Sequence, residues 1–198
     1  AIAGILLGAL HGAICGLPRV NDIAVGIALM LLATGVAFFL GKPFIQPKAP
    51  ILPAIPFGWW SADERVRSAL DVNVLFLIGA ALAPALLWFF KATRWGMIVR
   101  AAGDSADAVR AMGYSPRTIR LVSTAAGGAF AGVGGAFLSL YYPGSWNEAL
   151  SSGQGLMAIA LVIFARWHPV RCLGAALLFG AAGALGPALQ SVGVTQGY

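Results

Sequence analysis

The chain has 198 residues, of which 59% are hydrophobic and 10% charged, with 13 Lys and Arg against 7 Asp and Glu for a formal charge of +6. Soluble domains carry roughly 25% charged residues, so this composition excludes a protein whose only solvent is water. Nor does the positive charge point to nucleic acid. If successive loops alternate sides, Arg19, Lys91, Arg94, Arg100, Arg110, Arg117, Arg120, Arg166 and Arg171 share one face with Asp22, Asp104 and Asp107. The other face holds Lys42, Lys48, Arg65 and Arg67 against Asp63, Glu64, Asp71 and Glu148, and is neutral. All the excess charge lies on one side, as the positive-inside rule requires of cytoplasmic loops.

Residues 1–17 (AIAGILLGALHGAICGL) read as an apolar helix stopped by Pro18 and anchored inside by Arg19. Ala1 lies within the apolar run, with no Met or basic region before it. That reads as the middle of a helix in a fragment, not as a signal peptide. Residues 22–40 form the next span, with Asn21 or Asp22 as N-cap and Gly41 past its end. Pro43, Pro47, Pro50, Pro53 and Pro56 rule out a continuous helix in the outer loop 41–71, where Trp59 and Trp60 suit the headgroup zone.

Residues 72–90 cross back inward without a charge and with a kink expected at Pro84. The basic loop 91–117 holds a short helix over 104–113, capped by Asp104, closed by Gly113 and stopped by Pro116. Val109 and Met112 are three apart on one side of it, and its nine or so residues reach about 14 Å. Such a helix either docks in a partner's groove or merely connects two spans.

Residues 118–140 run outward and carry AGGAFAGVGGAF, in which Gly128 and Gly132 are four apart and Gly135 extends the stripe. Small residues at this spacing let helices approach closely in lipid, either within one subunit or between two. Tyr141, Tyr142 and Trp146 mark the outer interface. The apolar run 155–165 is short, and Gly153-Gln154-Gly155 precedes it. It is either a helix broken to expose backbone groups or an ordinary span starting near Ala149. His168-Pro169 makes the inner turn before the last span, 170–190. The predicted fold is all-α, a polytopic membrane bundle of about six spans with 1–198 as a single transmembrane domain.

The residues carry no visible chemistry of their own. Gly41-Lys42-Pro43 lacks the other residues of a phosphate-binding loop, and the glycines of 128–135 follow no strand. His11 and His168 are far apart, and Cys15 and Cys172 lack metal-ligand spacing, so no metal site is expected and both cysteines read as small buried hydrophobes. Polar groups at or within the membrane that could meet a solute are Asn73, Ser123, Thr124 and Gln154.

The run RAAGDSADAVRAMGYSPRTIRLVSTAAGGAFAGVGGAFLSL resembles the permease subunits of bacterial ATP-binding-cassette (ABC) importers for branched-chain amino acids, ribose and nucleosides. In that family a loop of the form R-A-x-G-x-(N/S)-x-x-A-A-x-x-x-G-I precedes a helix S-G-A-x-A-G-x-x-G-A. Arg100, Ala101, Gly103, Ala108 and Gly113 match, whereas Asp104 and Tyr114 depart from the commoner residues. Gly153, Gly155, Ala158, Ala160, Ile163, Phe164, Trp167 and Pro169 match a second block, G-x-G-x-x-A-x-A-x-x-I-F-G-x-W-x-P, with Ala165 in place of a glycine. This block is most similar to the nucleoside and simple-sugar branch.

The resemblance implies a paired permease in the bacterial inner membrane. It also implies cytoplasmic ATPase subunits that use ATP and Mg, an extracytoplasmic binding protein, and no cofactor held by this chain. It makes 104–113 a coupling helix, with Arg100, Gly103, Asp104, Ala108, Val109, Met112 and Gly113 at the ATPase contact. Nucleosides or simple sugars are the implied solutes and branched-chain amino acids the alternative. A passive channel or structural membrane protein is the reading from another class, and it would leave the capped helix unused.

Overall fold

A computed structural model describes residues 1–45, 54–63, 66–67, 70–141, 150–151 and 153–191. Pro47, Pro50, Pro53, Tyr142, Trp146 and Ala149 lie outside them. Eight α-helices make up the described bundle: α1 (Ile2–Cys15), α2 (Asp22–Gly41), α3 (Val74–Ala92), α4 (Arg94–Asp104), α5 (Ala106–Ala111), α6 (Pro116–Tyr141), α7 (Gln154–Phe164) and α8 (Pro169–Ser191). Four of them, α2, α3, α6 and α8, are long and apolar enough to cross a membrane, while α1 and α7 are shorter apolar helices.

The helix boundaries follow local chemistry. The Asn21 side chain accepts hydrogen bonds from the amides of Ile23 (2.9 Å) and Ala24 (3.2 Å), satisfying two donors at the start of α2. Asn73 accepts from Leu75 N (2.8 Å) and starts α3. At the other end of α3, the Thr93 hydroxyl donates to Phe89 O (2.6 Å) and accepts from Gly96 N (3.0 Å). One threonine thus closes α3 and opens α4. The chain doubles back there, and only a glycine fits at 96, because a Cβ would collide with Phe89 O and come within 2.7 Å of Phe90 Cα.

In the loop 41–71, β1 (Ala54–Pro56) pairs antiparallel with β2 (Asp71–Asn73), with Ile55 opposite Val72. This small hairpin is an addition to the all-α expectation. It satisfies backbone groups that the prolines bar from a helix. At the α7–α8 turn, Arg166 N bonds Ile163 O (2.9 Å) and Trp167 N bonds Val162 O (3.1 Å), with Arg166 and Trp167 both at positive φ.

Few side chains are buried, and the largest apolar ones point outward, as Phe39 does at 78% exposure. An apolar surface of this extent suits lipid. The tightest packing joins α1 to α6, backbone to backbone. A Cβ on Gly4 would strike the Gly128 carbonyl, and one on Gly128 would strike the Gly4 carbonyl. One on Gly8 would lie 3.1 Å from Ala125 Cα, and one on Gly12 2.9 Å from Leu121 Cα. Gly132 packs on Ala1, whereas Gly135 has nothing within 4 Å. The stripe on α6 therefore meets a matching stripe of three glycines, four apart, on α1.

Candidate functional site

Two features meet at one end of the bundle: the α4–α5 unit and a cavity beside it. The α5 helix has six residues and begins later than expected. Asp104 does not cap it but ends α4, where Ser105 N still bonds Ala101 O (2.8 Å). The cap is Ser105, whose hydroxyl accepts from Ala108 N (3.3 Å). Both residues are good N-caps, and the continuation of α4 through Asp104 decides between them.

Helix α5 ends in a Schellman motif. Gly113 N bonds Arg110 O (2.9 Å), Tyr114 N bonds Val109 O (3.1 Å), and Gly113 stands at φ +82°. Pro116 then starts α6. On the surface of α5, Arg110 forms an ion pair with Asp107. Exposed pairs of this kind contribute little to stability.

Val109 and Met112 differ in burial. Val109 is fully buried and Met112 is 48% exposed. The valine is thus the anchor of α5, while Ala108, Met112 and Gly113 remain outside with Arg100, Gly103 and Asp104 of α4. The Trp95 and Tyr114 rings, 6.1 Å apart and edge-on at 62°, tie the start of α4 to the segment after α5. On α4, Ile98 and Ala102 are buried. From α6, Arg120 donates through Nε (3.4 Å) and Nη2 (3.2 Å) to Ala102 O, near the C-terminus of α4, where a cation is favoured. Arg120 is therefore the polar link between the α4–α5 unit and a membrane-length helix.

A cavity of about 310 Å³ lies between α1, the start of α2, α4 and α6, with His11, Cys15, Asp22, Gly103, Arg120 and Ser123 in its wall. Cys15 Sγ lies 3.6 Å from His11 Nε2, one turn apart on α1. Cys15 and Cys172 are half-buried rather than fully enclosed. Among the described residues no group of His, Cys, Asp and Glu could hold a metal ion.

The four polar residues singled out for solute contact are not brought together. Ser123 and Thr124 line this cavity. The Thr124 hydroxyl, however, is engaged with Arg120 O and Leu121 O, both at 3.0 Å, and packs against Gly12. Asn73 caps the far end of α3 and is 3% exposed. Gln154 is exposed at the start of α7, after Gly153 at φ +75°. Sequence reasoning missed His11, Cys15, Asp22 and Arg120 as a group. The available signal was an i, i+4 polar pair inside an apolar helix, since ionisable residues at membrane depth mark functional cavities.

The sequence model of the branched-chain amino acid transport system / permease component family matches residues 1–196. A putative glucose ABC transporter permease of Haloferax volcanii is 32% identical over 96% of this chain and 59% of its own length. A guanosine ABC transporter permease of Bacillus subtilis is 31% identical over 92% of this chain and 60% of its own. For a nucleoside ABC transporter permease of Lactococcus lactis the identity is 28%, over 91% and 59%. The chain thus spans about 60% of the length of each of these three relatives. No solved structure matches it.

Proposed function

This chain belongs to the branched-chain amino acid transport system / permease component family, and on that premise we propose that it is part of the permease subunit of an ABC importer for nucleosides or simple sugars. The observation that carries the reading is the family match across residues 1–196, in a bundle with four helices of membrane-spanning length. The relatives named for glucose, guanosine and nucleosides support the solute class.

In this reading the protein is a multi-pass component of a prokaryotic cytoplasmic membrane and has no enzymatic activity of its own. ATP and Mg act in separate ATPase subunits, a second permease completes the pathway, and a binding protein delivers solute from outside. The α5 helix is the element the ATPase grips. Its capped start and Schellman end make it a rigid knob, Val109 fixes it to the bundle, and Ala108, Met112 and Gly113 offer a slim exposed surface. Arg120 carries displacement of α4 into α6.

The test is purification of the full-length protein from its native membrane in mild detergent, followed by uptake assays. Co-purification of an ATP-binding subunit together with ATP-dependent uptake of guanosine or glucose is expected. Uptake of leucine instead would move the protein to the amino-acid branch, and uptake that persists without ATP would make it a channel. Gly113→Val tests the coupling role. A β-branched residue is disfavoured at φ +82°, so ATP hydrolysis should continue while uptake falls at least tenfold. Normal uptake by this variant would overturn the role given to α5.

A further inference from the structure

In a chain with 10% charged residues, a histidine, a carboxylate, a guanidinium and a free hydroxyl converge on one cavity beside the α4–α5 unit. Structural needs do not use up their hydrogen-bonding capacity. Arg120 places two donors on Ala102 O and keeps three of its five N–H groups. The Ser123 hydroxyl has no hydrogen-bond partner among the described residues. Among the described residues the His11 ring nitrogens have only the Cys15 sulfur, a weak partner. Asp22, in the first turn of α2, is exposed.

We propose that this cavity is a solute site at the inner end of the transport path, where Asp22 and Arg120 hold the vicinal hydroxyls of a neutral sugar ring and His11 and Ser123 complete the contacts. The proposal rests on the reading of the chain as an importer permease. A carboxylate accepts hydroxyl protons in short, charge-assisted bonds, and a guanidinium donates to the hydroxyl oxygens. The pair of opposite charges suits an uncharged polyol, because the phosphate of a nucleotide would face Asp22.

About 310 Å³ is at the small end of ligand sites, enough for a pentose or hexose. No Phe, Tyr or Trp side chain among the described residues lines the cavity, and the His11 ring is engaged with the sugar in this proposal, so a nucleobase has no further ring to stack on. Recognition therefore falls on the hydroxylated ring, the part that a nucleoside and glucose have in common. Because Arg120 also holds the end of α4, a shift of the α4–α5 unit changes where its remaining donors point. Release of solute and movement of α5 are linked through one side chain.

Cys15, in the cavity wall, is a built-in reporter. The full-length protein, with every other cysteine replaced by serine, is labelled with a small maleimide in inside-out membrane vesicles, with ribose, guanosine or guanine present at millimolar concentration. Ribose and guanosine should slow labelling of Cys15 several-fold, guanine should not, and Asp22→Asn should abolish the protection. Three results would overturn the site: no protection by ribose or guanosine, equal protection by guanine, or a Cys15 that does not react at all. Guanosine uptake by intact cells is measured separately. A chain that transports guanosine without protection of Cys15 keeps its function and loses this site, and protection without transport does the reverse.

Discussion

At the scale of single residues, the glycines divide into those that something touches and those that nothing touches. Gly4 and Gly128 each stand where a Cβ would run into the other helix's backbone, and backbone cannot step aside as a side chain can. Gly4→Val should therefore push α1 off α6 and destabilise the bundle by about 1–3 kcal/mol. Gly135→Ala, facing open space, should leave the thermal unfolding midpoint in detergent unchanged. Equal midpoints for both variants would refute the packing. The sequence displayed the stripe on α6 plainly. Its partner, Gly4-Gly8-Gly12, has the same four-residue spacing but is diluted by leucines and isoleucines, so it reads first as ordinary apolar helix.

Single elements were legible where their ends carry caps. Asn21 started α2 and Gly113 closed α5 because each fills a role few residue types can fill. Helix α4 escaped notice because its basic residues placed it in the loop 91–117, although its apolar and polar faces are well separated, and its position depends on the fold-back at Gly96, a tertiary contact. For the same reason the start of α5 was placed one residue early. The cavity was legible only as the His11–Cys15 pair, since its wall joins residues more than 100 positions apart. A prediction belongs to α5 as a unit. Val109 is its fully buried anchor, and Val109→Ala removes two carbons from that contact, a loss of roughly 1.6 kcal/mol. Trypsin added to inside-out vesicles should then cut after Arg110 several-fold faster than in the parent. An unchanged rate would mean that other contacts hold the helix.

At the scale of the whole molecule, charge and architecture agree on an orientation. The basic segments around Arg19, 91–120 and Arg166–Arg171 flank the turns at one end of the bundle, and the β1–β2 hairpin precedes α3 at the other. Cysteines placed singly at Ser61 and at Ala111, both in exposed or half-exposed positions, should react with a membrane-impermeant maleimide from opposite sides. Ser61→Cys should label in intact cells, and Ala111→Cys only in inside-out vesicles. The reverse pattern would invert the topology and remove α5 from any cytoplasmic partner.

The close fit of α1 to α6 also sets a timetable for biosynthesis. Gly4 and Gly128 are 124 residues apart, and at 5–20 residues per second the ribosome needs about 6–25 s to travel between them. During that interval the glycine face of α1 lacks its α6 partner. The α1–α6 contact is thus a late step of assembly, and whatever covers the glycine face of α1 meanwhile governs the yield of correctly assembled protein.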